Sequence, residues 1–163
     1  MGDLRFQVSD LVGHPGSHRD VYGEVKLFLK VGETTTRSSS ATFAHLTAVG
    51  EGILAEGWSG IMADHVCVRC LREWERPVET EWSELFVRHP DGDHAPIAPD
   101  GVIDLEEVVR DELSLALPPD PLCRPHCAGI CPECGADLND APCEGHGDLS
   151  EGPFAALKQL FGS

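Results

Sequence analysis

Apolar side chains recur on alternate positions in several stretches of this chain and at helical spacing in one. After Pro77, Val78, Thr80, Trp82, Glu84 and Phe86 alternate with Glu79, Glu81 and Ser83. That period belongs to a strand with one buried face, so Trp82 and Phe86 are expected to point at a core. Residues 22–30 (YGEVKLFLK) alternate in the same way, and residues 5–8 suit a short first strand. Residues 41–66 are rich in Val, Ile, Leu, Trp and Thr but interrupted by Gly50, Gly52, Gly57 and Gly60. This predicts several short antiparallel strands with bends between them. In residues 103–117 (IDLEEVVRDELSLAL) the period changes. Leu105, Val108, Val109, Leu113, Ala116 and Leu117 line one side of an amphipathic helix of about 104–117. Asp104 and Glu107 are spaced for a capping box, and Pro118-Pro119 stops the helix. A short terminal helix is expected over 153–161, with Phe154, Leu157, Leu160 and Phe161 on one side.

Between these elements, residues 12–17 read as a turn, residues 34–40 (TTTRSSS) as an exposed loop, and residues 89–101 (HPDGDHAPIAPDG) as a mobile surface loop. The predicted fold class is α+β. An N-terminal antiparallel β portion and one main helix make up a core over 1–117. A Cys-rich zinc-binding segment with the short terminal helix, 118–163, packs on it. No internal repeat is present.

The chain has 163 residues, of which 41% are hydrophobic, enough for one real core and too few for two full-sized domains. No apolar run approaches the roughly 20 residues of a membrane span, and residues 1–13 lack the basic start and apolar stretch of a secretion signal. A cytoplasmic location is the expectation. The formal charge is −16, and it is uneven. Residues 1–66 hold 5 basic and 8 acidic side chains, residues 67–163 hold 7 and 20. A general phosphate-gripping surface is therefore not expected, because non-specific nucleic-acid affinity comes from clustered Lys and Arg. A basic partner or a small local cationic patch is compatible with the charge.

The chemistry lies in seven cysteines, Cys67, Cys70, Cys123, Cys127, Cys131, Cys134 and Cys143. Seven is odd, and a reducing compartment disfavours structural disulfides. Cys67-Val68-Arg69-Cys70 and Cys131-Pro132-Glu133-Cys134-Gly135 each separate two thiols by two residues, a tight turn that can aim both sulfurs at one tetrahedral ion. Two distributions of ligands are open. One joins both pairs in a single site of Cys67, Cys70, Cys131 and Cys134. The other makes two sites, Cys67, Cys70, Cys123 and Cys127 in the first, Cys131, Cys134, Cys143 and His146 in the second. Zinc is preferred over a redox pair, which would need thioredoxin-like alternation of strands and helices, and over an iron–sulfur cluster, whose usual spacings differ. Buried thiols acting merely as small hydrophobes do not cluster in this way. A full set of four ligands leaves no open coordination position, and no nucleophile elbow, Walker loop or zinc-protease motif occurs. Asp91, Asp93 and His94 read as solvated loop residues, and His126 is a reserve ligand. No enzyme is expected.

Taken in order, several motifs resemble the YceD family, the large ribosomal RNA subunit accumulation family. They are Val8-Ser9-Asp10-Leu11-Val12-Gly13 with Pro15-Gly16-Ser17, Cys67-Val68-Arg69-Cys70-Leu71, and the run IDLEEVVRDELSLALP from Ile103. Pro121-Leu122-Cys123, CAGICPECGADLN from Cys127 and FAALKQL from Phe154 follow. The resemblance spans most of the chain and is weakest between residues 20 and 60. It implies a cytoplasmic bacterial protein that supports accumulation or processing of large-subunit (23S) ribosomal RNA, without implying a catalytic mechanism. Some relatives keep the first Cys pair and ligands near 123 and 127 while lacking the later pair, which favours a first site made without Cys131 and Cys134. Where many relatives carry a further cysteine after the one matching Cys143, this chain has Gly145-His146, making His146 the substitute. The partner is then the large-subunit RNA precursor, contacted through Arg69, Arg72 and Arg76, or a basic ribosomal protein that the acidic chain shields. A zinc-dependent RNA-processing enzyme is the third reading. No membrane partner or small-molecule substrate is inferred.

Overall fold

The computed structural model describes residues 4–141 apart from Asp91 and Asp93, together with Cys143 and Gly145. In chain order the elements are β1 (Arg5–Gln7), β2 (His18–Lys26), β3 (Lys30–Val31), β4 (Thr34–Thr36) and β5 (Ser39–Ala48). They continue with β6 (Gly52–Val66), β7 (Glu73–Val87), β8 (Ala95–Pro96), β9 (Val102–Asp104) and α1 (Glu106–Ala116). The expected helix over 153–161, His146, Asp91 and Asp93 all lie outside the described residues.

The alternation that predicted a strand around Trp82 extends over β7, which is antiparallel to β6 along its entire length, from Gly52↔Val87 to Val66↔Glu73. The other edge of β6 is shared. β5 pairs with its first half, Ala48↔Ile53 to Ala41↔Gly60, and β4 with its far end, Thr36↔Ala63 to Thr34↔His65. β2 continues the sheet beyond β5, β3 pairs with β4, and β8 lies parallel to β7. β1 and β9 form a separate antiparallel ribbon. The fold is thus mostly β-sheet with one helix, in keeping with the α+β expectation.

Trp82 and Phe86 do face inward, with Leu46, Ile53, Ala55, Ile61 and Ala63 beside them. The helix covers this face from β7 and β6. Its buried row is Leu105, Val109, Leu113 and Leu117, spaced four apart as one helical face requires. Each such side chain contributes about 1.5–3 kcal/mol on leaving water.

The glycine-broken region behaves differently from the expectation of several short strands. Residues 39–66 are two long strands, β5 and β6, joined by a turn in which Val49 N–H donates to Gly52 O at 2.9 Å. The glycines do not bend β6; they make room. A Cβ on Gly57 would lie 2.4 Å from Trp82 Cζ2 and 2.7 Å from Phe43 O. The indole of Trp82 thereby lies across Gly57 and donates to Ser59 Oγ at 2.9 Å, which meets Thr42 Oγ1 at 3.0 Å.

Other corrections follow from hydrogen bonding that composition hides. Residues 34–40 are not an exposed loop: Thr34–Thr36 is β4, and Thr34, Thr36 and Ser40 are buried. Thr36 Oγ1 donates to Leu27 O and accepts from Leu29 N–H, which replaces its hydration. The strand expected over 22–30 begins at His18 and ends at Lys26, Phe28 being exposed and Lys30–Val31 forming β3. Residues 89–101 include β8 and the buried Ile97, so part of that segment is pinned to β7. The helix starts at Glu106, because Ile103 and Asp104 belong to β9. Asp104 Oδ1 accepts from Glu106 N–H at 2.9 Å, a single-sided cap in place of the reciprocal box. Leu117 is extended, as a residue before proline must be.

Candidate metal centre

Both Cys-x-x-Cys turns have one backbone design. Leu71 N–H donates to Cys67 O and Gly135 N–H to Cys131 O, each at 2.9 Å. Cys67 N–H then reaches Arg72 O at 2.9 Å, and Cys131 N–H reaches Ala136 O at 2.8 Å. This closes a loop with the two sulfurs on one side. The residue after the second cysteine must be left-handed: Gly135 has φ 73°, and Leu71 occupies the equivalent place at φ 58°.

The first turn follows the end of β6, and its partners arrive from the segment after α1. Pro118 O accepts from Thr34 Oγ1 at 2.7 Å, Pro119 O from Glu33 N–H and Pro121 O from Val68 N–H. Gly32 is obligatory here, since a Cβ on it would strike Pro119 O at 1.9 Å. Docked in this way, Cys123 and Cys127 meet Cys67 and Cys70. Sγ of Cys67 is 3.7 Å from that of Cys127, Cys70 is 3.5 Å from Cys123, and all four sulfurs lie within 4.8 Å of one another. Cys131, Cys134 and Cys143 form a second group with the same limit, Cys143 Sγ being 3.8 Å from Cys131 Sγ. A tetrahedral zinc with bonds of about 2.3 Å separates its sulfurs by about 3.8 Å, so both groups fit that ion. All seven cysteines are free of disulfides. The geometry therefore follows the two-group distribution: the pair Cys131/Cys134 does not share a centre with Cys67/Cys70. His146, the expected fourth ligand of the second group, lies outside the described residues.

Burial and amide dipoles compete over these thiols. Burial pushes Cys67 up, but the N–H groups of Cys123, Cys70 and Arg69 outweigh it and bring the thiol down to about 6. Cys131 is also down at about 6, held by the N–H groups of Cys134 and Glu133. Cys123 is pushed up to about 12 by burial and by the neighbouring sulfurs of Cys70, Cys127 and Cys67. Packing four sulfurs this closely concentrates negative charge that a divalent cation offsets.

Asn139, which the sequence reading passed over, organises the rim of the first group. Its Oδ1 accepts from Ala128 N–H at 2.7 Å and from Arg124 Nε at 3.1 Å. Its Nδ2 donates to Cys127 Sγ at 3.4 Å and to Asp137 Oδ1 at 2.6 Å. The signal was available in Asp137-Leu138-Asn139, an Asx-turn pattern directly after the second knuckle. Of the three arginines proposed for RNA, Arg69 donates from Nη1 to Cys127 O at 3.0 Å. Arg72 pairs with Asp137 at 3.3 Å and Asp140 at 3.8 Å. Arg76 is exposed on β7, and His126 is exposed and joins neither sulfur group. His65 is buried against Thr34 Oγ1 at 3.0 Å and stacks on Trp74. No described helix is long and apolar enough to cross a membrane.

Comparison with known proteins adds a name to this geometry. Uncharacterized proteins of Mycobacterium bovis and Mycobacterium tuberculosis are each 33% identical over 123 residues, covering 71% of this chain and 58% of their own. One from Mycobacterium leprae is 33% identical over 107 residues, covering 61% of this chain and 49% of its own. The chain thus spans about half the length of these curated relatives. No solved structure matches it. The family model described as large ribosomal RNA subunit accumulation protein YceD matches residues 60–161, a span holding the end of β6 from Gly60, all of β7 and α1, and every cysteine. Its name describes accumulation of an RNA and not a reaction. With that match across more than half its length, the chain belongs to the YceD family of large ribosomal RNA subunit accumulation proteins.

Proposed function

We propose that this chain is a non-catalytic, cytoplasmic factor that supports accumulation of large-subunit (23S) ribosomal RNA, with structural zinc holding its C-terminal part. In this reading residues 1–117 form the α+β core and residues 118–163 the zinc-bound segment. Cys67, Cys70, Cys123 and Cys127 hold one ion; Cys131, Cys134 and Cys143 with His146 hold a second. The observation that carries it is the convergence of four thiols from segments more than fifty residues apart on one point. Four sulfur ligands saturate a tetrahedral ion, so it has no position for substrate and acts as a staple whose binding energy becomes folding energy.

The test joins cell and protein. In a strain lacking the gene, the ratio of 23S to 16S RNA should fall, the wild-type gene should restore it, and Cys70→Ser should not. Purified Cys70→Ser should contain less zinc than wild type. A normal ratio in the deletion strain, or full rescue by a Cys70→Ser protein without zinc at that site, overturns the reading.

A second reading concerns the partner. The charge of −16 and the engagement of Arg69 and Arg72 in holding the knuckle segment favour an adaptor for a basic ribosomal protein over direct RNA contact. A basic protein that stays bound after nuclease treatment is its signature.

A further inference from the structure

The sheet has two faces, and α1 covers only one. On the other, the ladder aligns Tyr22 with Phe43, Phe43 with Trp58, and Trp58 with Glu81 across four strands. Tyr22 is 74% exposed, Trp58 36%, and Met62, four positions further along the same face of β6, 46%. Tyr22 and Phe43 touch, their ring centroids 4.9 Å apart and tilted by 46°. A Cβ on Gly60 would sit 2.8 Å from Trp58 Cη2 and 3.5 Å from Glu79 Cγ, so the indole lies over Gly60 and beside Glu79. The three rings border a shallow groove of about 410 Å³. None of the three falls within the matched family span, which begins at residue 60.

The rim is acidic. Glu24 and Glu79 lie in the adjacent row through Ala41 and Gly60, Glu81 is opposite Trp58, and Glu56 precedes Trp58 by two positions on the same face. All four are exposed, and none forms an ion pair among the described residues. Aromatic rings bordered by unpaired carboxylates match one chemistry closely. A guanidinium stacks on a ring face and donates to a carboxylate in the same plane, which an ammonium does less well. Phosphates would meet the four carboxylates first, and a second copy would set acid against acid.

We propose that the Tyr22–Phe43–Trp58 row with its glutamate rim is a docking surface for an arginine-rich segment of a partner protein. The proposal rests on the adaptor reading and deepens it by naming the face and the side chain recognised.

The experiment uses the full chain and a fluorescent arginine–glycine repeat peptide, with a lysine–glycine repeat and a polyuridine oligonucleotide as competitors. Saturable binding of the arginine peptide is expected, weakened roughly fivefold by each of Trp58→Ala, Tyr22→Ala and Glu81→Gln. The lysine peptide should compete poorly and polyuridine not at all. Tyr22 is so exposed that its removal leaves the core intact, so Tyr22→Ala carries the test if Trp58→Ala unfolds. Gly60→Ala, which shifts the indole, should weaken binding while leaving the melting temperature close to wild type. Equal binding by wild type and Tyr22→Ala overturns the proposal. So does polyuridine binding that Trp58→Ala abolishes, which gives the face to nucleic acid. A dimer dissociated by Trp58→Ala gives it to a second copy and overturns it too. If the peptide fails but wild type and Trp58→Ala hold the same nuclease-resistant basic protein, the face is wrong and the adaptor reading stands. If neither peptide nor basic protein is held, both fall.

Discussion

Leu71 is the one non-glycine residue with positive φ among the described residues, and it stands where the second knuckle has Gly135. A left-handed leucine costs about 1–2 kcal/mol, partly offset because glycine loses more freedom on folding. Leu71 is 60% exposed and packs little. Leu71→Gly should therefore stabilise the metal-loaded protein by roughly 0.5–1 kcal/mol, read as a higher urea midpoint at fixed zinc. A lower midpoint would mean that the leucine side chain has a contact role that its exposure does not suggest. Asn139 shows the opposite case, a polar residue of ordinary appearance whose amide links Cys127, Ala128 and Asp137. Its pattern is readable as a turn, but the sulfur it serves lies 12 positions away and only folding shows which one.

The instructive element is β6. Its glycines looked like breaks because glycine weakens an isolated strand. In the sheet two of its three glycines, Gly57 and Gly60, meet opposite environments. Gly57 faces inward, where a methyl group would collide with Trp82 and with the carbonyl of Phe43. Gly60 faces outward, where the obstacle is the movable end of an exposed indole. Gly57→Ala should cost about 1–3 kcal/mol through overpacking, and Gly60→Ala well under that, both measured by denaturant unfolding of the full chain. Equal effects would deny that the two sides of β6 differ in this way. The threonines of β4 were misread for a related reason: a polar run signals a loop only if no neighbour satisfies its hydroxyls, and Leu27, Leu29 and Pro118 do.

The apolar core divides in two. One cluster lies between the sheet and α1; a smaller one gathers Cys67, Cys70 and Cys127 with Trp74, Leu122 and Ile130. The larger body is stabilised by burial, whereas on the proposed reading the smaller depends on the sulfurs being held together by the metal. If the sulfurs hold zinc as proposed, a chelator should strip hydrogen-exchange protection from amides such as Leu71, Ile130 and Leu138 while the centre of β6 and β7 keeps it. Simultaneous loss everywhere would show that the staple supports the entire fold; no loss anywhere would show that the thiols hold nothing. The acidic excess does not follow this division, because it falls in residues 67–163, which include β7 and α1 of the larger body. Arg69 and Arg72, expected as RNA contacts, are among the few cations available to tie the knuckle segment down.

Period and composition were enough to place Trp82 and Phe86 in the core, to lay one helix across them, and to mark the thiols as ligand candidates. Each of these follows from local spacing, which the chain carries wherever it goes. Which thiols meet is another matter, and both distributions were compatible with the spacings. That choice depends on how residues 118–138 dock, through backbone carbonyls of Pro118, Pro119 and Pro121 on β4 and its neighbours, and backbone groups are the same in every residue. The alignment of Tyr22, Phe43 and Trp58 likewise needed the register of three strands, since residues far apart in the chain become neighbours only when a sheet is assembled.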